Sequence, residues 1–290
     1  MREKSQRGAA LILVLMIVAI MSVVVIGAIS KNKLLVKEAR MLKEYRQGIT
    51  QLASVRSQLV YILTTTTLWS SGANPEDKSK LGLPEDFNLY GQEFEYLGAK
   101  LTIQSLNGLI SLEPFDEDSF KSFLLSKGYK QSKVLTLVDA IKDWIDEDDF
   151  VRLNGAEKHA YLHNSMPRNA PFQMVQELRL VKGMTPEIWA DIQPYVALFG
   201  GEPINNHYVP TDIIGFSESE INQESLKSAR AKGKTPIWYT GDSSEYPGER
   251  LQISISLTSE LTQYSESFTL IKTRGIERPF VISDVVVGKL

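Results

Sequence analysis

The chain has no cysteine among its 290 residues, which excludes a disulfide scaffold, a thiolate zinc site and a cysteine nucleophile. Any exported part of it must therefore hold together without covalent staples. No proline occurs before Pro75, so nothing there forces a break in a helix. A Gly-rich phosphate loop and a Gly-x-Ser-x-Gly nucleophile elbow are both absent. A dominant charge of one sign is also lacking: 32 Lys+Arg stand against 35 Asp+Glu, a net of -3, which announces no nucleic-acid binder. There are only three histidines. His159 and His163 have the i, i+4 spacing of a helical zinc pair, but the catalytic form needs Glu directly after the first His, and Ala160 stands there. What remains is an ordinary globular composition, 43% hydrophobic and 23% charged, in a chain long enough for about two compact units.

Charge is absent most conspicuously near the start. Residues 9–29 run for 21 positions without a charged side chain, long enough to cross a hydrocarbon core of roughly 30 Å at ~1.5 Å per residue. Arg2, Lys4 and Arg7 precede this run and Lys31 and Lys33 close it; the N-terminal cations favour a cytoplasmic N-terminus. Three readings compete. A cleaved signal peptide would use Ala28-Ile29-Ser30, although the apolar run is long for one. A plain signal anchor is the second. The third is a leader cut on the N-terminal side of the run, which Gln6-Arg7-Gly8-Ala9-Ala10-Leu11 resembles.

The pattern beyond the run favours a helix that continues. Leu42, Tyr45, Ile49, Leu52, Val55, Leu59 and Ile62 form one stripe of helical spacing, with Lys43, Glu44, Arg46, Gln47 and Gln51 on the wet face. This predicts a single helix over about residues 9–66. Residues 70–90 read as loop. Alternation over residues 94–106 predicts strands, with a hairpin turn at Asn107-Gly108 returning through Leu109, Ile110 and Leu112. Strands are also predicted over residues 251–257, 267–273 and 279–287. One antiparallel sheet made from both ends of the chain is the expected result, interrupted by a helical insertion over about residues 113–234.

Within the insertion, Phe120, Phe123 and Leu124 mark a helix ending near Gly128. Ser132 caps a second, with Val134, Leu135, Val138, Ile141 and Ile145 on one face. Pro171 starts a third through Met174, Val175 and Leu178. Thr185-Pro186-Glu187 opens a fourth in the preferred order of cap, proline and acid, with Ile188, Trp189 and Ile192 inward.

Asp143-Trp-Ile-Asp146-Glu147-Asp148-Asp149, followed by Gly155-Ala-Glu157, is the sharpest constellation. Five carboxylates in seven residues repel one another, and they crowd a helix C-terminus that already carries partial negative charge. A solvated acidic helix end is one reading. A bound hard cation, which takes oxygen ligands, is the other and would relieve both penalties. Residues 178–185 resemble a helix-hairpin-helix turn, but residues 105–215 carry 10 Lys+Arg against 16 Asp+Glu, so the turn reads as structural, with Gly183 as a helix C-cap.

Taken in order, Arg7-Gly8-Ala9-Ala10-Leu11, the acidic run with Gly155-Ala156-Glu157, Asn169-Ala170-Pro171-Phe172, Glu177 to Thr185 and Ile204-Asn205 resemble the general secretion pathway protein K family, the large minor pseudopilins of type II secretion systems. The resemblance is weakest from about residue 227 onward. It implies an α+β fold: a long pilin-like helix on an antiparallel sheet, with a large all-α subdomain inserted into the sheet. It implies a prepilin leader over residues 1–8, a transmembrane half-helix over 9–30, first pilin-like elements over 31–112, the inserted domain over 113–234 and C-terminal strands over 235–290. It further implies cleavage between Gly8 and Ala9 by a prepilin peptidase and N-methylation of Ala9. Calcium in the inserted domain is implied too, with Asp143, Asp146, Asp148 and Glu157 as candidate ligands. The expected setting is the inner membrane with a periplasmic body, and the expected partners are other minor pseudopilins met through the first helix, with no nucleic acid and no enzymatic activity.

Two departures matter. Lys158 stands where the family has an acid, and the family's Asn-x-Asn-Thr pattern is kept only in part as Ile204-Asn205-Asn206-His207. Pilin-type subunits generally carry a glutamate at the fifth mature position, which pairs with a neighbour's N-terminal amine. Here that position is Leu13, and the first later carboxylate is Glu38. A carboxylate in lipid costs a few kcal/mol unless it is paired. Its absence fits a subunit with nothing ahead of it, at the tip of a pseudopilus. A minor type IV pilin would share the leader and the missing glutamate but not the acidic insertion. An anchored DNA-binding protein would use the turn near Gly183.

Overall fold

The computed structural model describes residues 3–71, 75–162, 166–216, 223–231, 246–258, 263–273, 275 and 277–289. Helix α1 runs unbroken over Glu3–Thr65, as the continuous helical pattern and the lack of proline require. Residues 10–43 are exposed along their whole length. The predicted stripe is only half used: Leu52, Val55 and Leu59 are buried, whereas Leu42, Tyr45 and Ile49 remain exposed because the body begins to cover the helix only at about Gly48. Two short helices follow, α2 (Leu68–Ser71) and α3 (Pro75–Lys80), where the sequence reads as loop.

A five-stranded antiparallel sheet lies against the second half of α1. Its strands are β1 (Phe94–Tyr96), β2 (Ala99–Ser105), β5 (Arg250–Thr258), β6 (Gln263–Lys272) and β7 (Phe280–Lys289), in that spatial order. Strand β2 pairs with β5 from Lys100↔Ser256 to Ser105↔Leu251, so the two ends of the chain build one sheet around the segment between them. Alternate residues Leu251, Ile253, Ile255 and Leu257 of β5 and Tyr264, Phe268 and Leu270 of β6 are buried with Leu59 and Leu63 of α1. Glu266 shares that buried face and is neutralised by Arg56 of α1. The valines of edge strand β7 stay exposed.

The predicted hairpin at Asn107-Gly108 is not formed. The two-residue turn lies earlier, at Leu97 (φ 54°) and Gly98 (φ 73°), between β1 and β2. Residues Leu106–Gly108 form a 3-10 turn, and β3 (Ile110–Ser111) leaves the sheet to pair in parallel with β4 (Val196–Ala197). Gly108 is needed for close packing instead of a positive φ: a Cβ there would clash with the Tyr208 backbone carbonyl.

Between β3 and β5 lie α4 (Glu117–Ser126), α5 (Gln131–Ile145), α6 (Pro186–Ile192) and α7 (Gln223–Ala231). They bury a second core that includes Phe120, Phe123, Leu137, Ile141, Trp144 and Ile188. Helix α5 starts one residue before the expected Ser132 cap, with Lys130 at the N-cap and no side-chain cap bond. Leu135, expected on its inner face, is exposed and Leu137 is buried instead. The expected helix from Pro171 shortens to a 3-10 stretch, Val175–Leu180, with Met174 outside. At α6 the sequence is read as written: Thr185 accepts from the Ile188 N–H at 3.4 Å and Pro186 opens the helix. Gly183 (φ 93°) turns the chain beyond that 3-10 stretch, whose own C-cap is Val181.

The helical segment leaves the sheet at a defined end. Along α1, Gly48 abuts the Tyr264 ring, Arg56 meets Glu266 and, past the helix end, Ser70 Oγ accepts from Lys272 Nζ at 3.0 Å. The helix therefore runs in the direction of β6. Trp69 Nε1 donates to the Gly248 carbonyl at 3.1 Å, just ahead of β5. Ser105 and Leu251, where the chain leaves and rejoins the sheet, thus lie at the end remote from the apolar half of α1.

Candidate functional site

Two surfaces carry the functional argument: the bare half of α1 and the acidic turn after α5. One window of 18 residues in α1 has a mean hydropathy of 3.2 and none of it is buried, so this helix is long and apolar enough to cross a membrane. Ser22 donates its hydroxyl to the Val18 carbonyl at 2.8 Å, which leaves that side chain no free donor for the surroundings. Gly8 and Ala9 lie within α1, and Leu13 is on its exposed apolar half.

At the other end, α5 carries Asp143 and Trp144 into the second core and stops at Asp146, whose N–H donates to the Lys142 carbonyl at 3.1 Å. The chain then doubles back on Asp143. This carboxylate is fully buried; it accepts from the Ala156 N–H at 2.7 Å, from the Arg152 N–H at 3.2 Å and from Arg152 Nη1 at 2.8 Å. The same Nη1 bridges to Asp146. Gly155 allows the approach, since a Cβ there would clash with the Asp143 carboxylate. Asp139 holds the turn from below, accepting from the Asn154 N–H at 3.1 Å. The hydrogen bonds of Asp146 and Asp143 raise the Arg152 pKa still further above its ordinary value.

Glu157 is placed differently. It is 6% exposed, and among the described residues neither carboxylate oxygen has a hydrogen-bond donor. Burial first, then the charges of Asp143, Asp146, Asp149 and Asp148, push its pKa upward. Asp146 Oδ1 and Asn169 Oδ1 are also buried without a partner among the described residues. Buried acceptors are ordinarily satisfied, so oxygens left bare at one place need an account. Asp148 is exposed and accepts from the Phe150 N–H at 2.8 Å. Asp149 pairs with Lys158 at 2.7 Å, which lowers its pKa, and accepts from Asn169 Nδ2 at 3.0 Å. Asn169 (φ 50°) reaches this turn because Ala170 N–H donates to the Trp144 carbonyl at 3.2 Å and Phe172 stacks on the Trp144 ring at 6.2 Å.

Of the four acids singled out in the sequence, Asp143 is thus occupied by its own chain, Asp146 is half occupied, Asp148 lies at the rim and Glu157 is bare. As arranged, no three acidic or histidine side chains among the described residues form a ready metal cage. Sequence reasoning missed Arg152 and the bare Asn169 oxygen; the only signal for Arg152 was a lone cation inside an acidic stretch. His159 sits exposed in a 3-10 turn, and His163 lies outside the described residues. In the turn before α6, Arg179 packs over the Trp189 ring and Arg168 pairs with Glu177 at 3.0 Å. Asn205 donates its N–H to the Asn107 carbonyl at 2.7 Å, tying the helical segment back to its exit from the sheet.

These features define a pilin-like α+β protein: a long helix with one apolar half suited to a single-pass anchor, a sheet on the other half, and a helical segment spliced between β2 and β5. Residues 99–201 match the family model described as Type II secretion system (T2SS), protein K. The Type II secretion system protein K of Klebsiella pneumoniae is 27% identical over 220 residues, covering 69% of this chain and 64% of that protein. The Putative type II secretion system protein K of Escherichia coli K12 is 26% identical over 295 residues, covering 92% of this chain and 89% of its own. The fold is that of a chain in the crystal structure of the GspK-GspI-GspJ complex of the Type 2 Secretion System of enterotoxigenic Escherichia coli, with a TM-score of 0.53 at 14% identity over 87% of this chain and 99% of that one. The chain is thus similar to type II secretion system protein K over most of its length.

Proposed function

We propose that this chain is a non-enzymatic minor pseudopilin that caps the tip of a type II secretion pseudopilus and supports export of folded proteins across the outer membrane. The observation that carries the reading is the position of the helical segment, at the end of the sheet remote from the apolar half of α1. In a filament whose subunits align their first helices, that segment would project beyond the body and obstruct a subunit stacked above. Leu13, where a carboxylate would greet a neighbour's amine, supports the same position. In this reading a prepilin peptidase cuts between Gly8 and Ala9, Ala9 is N-methylated, and the retained α1 holds the chain in the inner membrane with the body in the periplasm until it joins the pseudopilus. The bare surface of residues 10–43 then packs on the first helices of other minor pseudopilins, as GspI and GspJ accompany GspK in the similar complex.

Calcium belongs to this proposal. The bare buried oxygens of Glu157, Asp146 and Asn169 fit a hard cation with oxygen ligands, and Asp148 stands at the rim to add another. Asp143 organises the turn through the N–H groups of Arg152 and Ala156. When bound, calcium supplies positive charge to a helix C-terminus that has too little. The test of the tip position is immunogold labelling of pseudopili with antibody to the body. Label confined to filament ends is expected; label spread evenly along shafts would refute it.

A further inference from the structure

Arg152 divides the acidic turn into two halves with different needs. Its Nη1 donates to Asp143 at 2.8 Å and to Asp146. The oxygens it does not reach are bare: Asp146 Oδ1 and both of Glu157. Lys158 is next to Glu157 in sequence but turns outward to Asp149, so it does not neutralise Glu157. A cation drawn to the bare oxygens meets Asp146 as the shared residue, one of its oxygens free and the other held by a guanidinium.

From this arrangement we infer that Arg152 is an internal counter-cation that competes with the divalent cation for Asp146. It sets how tightly this chain takes calcium and lets the turn fold without it. This rests on the reading above that the acidic turn binds calcium. Three features support the competition. A guanidinium stays charged throughout the physiological range, so it cannot step aside by losing a proton. Its side chain is 35% exposed, so a route to water exists when Asp146 is taken from it. Asp143 does not depend on the guanidinium alone, because the Ala156 N–H holds it at 2.7 Å and the Arg152 N–H at 3.2 Å. The backbone of the turn can therefore stay in place while the guanidinium leaves. A positive charge this close to a divalent ion opposes its binding, and even partly screened its removal tightens binding by about tenfold or more.

The experiment uses the full chain in mild detergent, calcium chloride alone as the probe and titration calorimetry as the readout. Arg152→Gln is expected to bind calcium about tenfold or more tightly than the native chain, and Arg152→Lys, which keeps the charge, close to the native value. A purely structural role for Arg152 predicts the reverse, equal or weaker binding in Arg152→Gln. That result, with calcium still bound by the native chain, overturns the inference and leaves the calcium reading standing. Binding by Arg152→Gln but not by the native chain supports the inference and overturns the calcium reading for the native protein. No binding by any of the three overturns both. Should Arg152→Gln fail to fold, the guanidinium 15N resonance of Arg152 in the native chain decides. A shift on calcium addition supports the inference and an unmoved resonance refutes it.

Discussion

Replacing Asp143 by Asn tests whether one buried carboxylate folds the acidic turn. The side chain accepts from the Ala156 N–H at 2.7 Å, from the Arg152 N–H at 3.2 Å and from the Arg152 guanidinium at 2.8 Å. An asparagine has one oxygen left; in the place of Oδ2 it keeps the Ala156 and Arg152 N–H bonds as a neutral acceptor, while its NH2 must face the Arg152 guanidinium. A hydrogen bond to a charged group contributes about 1.5–3 kcal/mol against about 1 for a neutral pair, so neutralising the acceptor of these two N–H bonds costs about 1–2 kcal/mol. The guanidinium bond counts for less, under ~1 kcal/mol, because Arg152 is partly exposed and keeps Asp146. Removing a negative charge near Glu157 offsets a little of this. The net destabilisation is about 2 kcal/mol, which moves a urea midpoint by roughly 1 M. The assay is urea unfolding in a chelator, followed by tryptophan fluorescence, since buried Trp144 is the next residue. Asp148→Asn, which loses only an exposed bond to Phe150, serves as the control and should move the midpoint little. If Asp143→Asn moves it no further than the control, the turn is not organised around Asp143.

Three further outcomes follow from other residues. Gly155→Ala should destabilise the calcium-free protein about as much as Asp143→Asn, by ~2 kcal/mol in the same urea assay, because its Cβ would clash with the Asp143 carboxylate. Glu157 has its pKa raised by burial and by its acidic neighbours, so the stability it contributes in the calcium-free protein is fully present below its unfolded pKa of about 4.3 and is lost as pH rises through the higher folded value. Glu157→Gln should therefore flatten this part of the midpoint-against-pH curve without calcium, and should remove any stabilisation that calcium confers. Intact mass of the chain from membranes should show a start at methylated Ala9 only in cells with a prepilin peptidase; an intact Met1, or a start near Lys31, would end the pilin-type reading.

The long helix was legible because helical spacing persists through the change from apolar run to charged stretch, with no proline to break it. How much of that stripe is covered was not legible. Periodicity reports where a helix can pack, and Leu42, Tyr45 and Ile49 have the spacing without the body beneath them. The hairpin error has a similar origin. Asn-Gly suits a tight turn, but at 107–108 the glycine serves a close approach of two backbone segments. The real turn places Leu97 at positive φ, a conformation that its side chain does not advertise. One antiparallel sheet interrupted by an insertion was inferred from alternating strands at both ends, and the pairing of β2 with β5 is how the structure closes it.

At the acidic turn, the density of carboxylates at a helix end announced an unusual need for positive charge, but not how it is shared. That depends on the chain reversing so that Arg152 meets Asp143 and on a distant stretch delivering Asn169, neither of which has a sequence period. The result is a division of labour among residues that look equivalent in sequence. Asp143 has enough donors to be satisfied by its own chain, so mutating it should act on folding first. Glu157 has none, so its charge opposes folding until a proton or a cation arrives. A turn stabilised entirely by its own cations would have no use for an external one, and a turn with none would fold only around it. Arg152 reaching two acids and leaving a third bare puts this chain between those limits: on the calcium binding proposed above, the protein folds first and calcium then alters its stability.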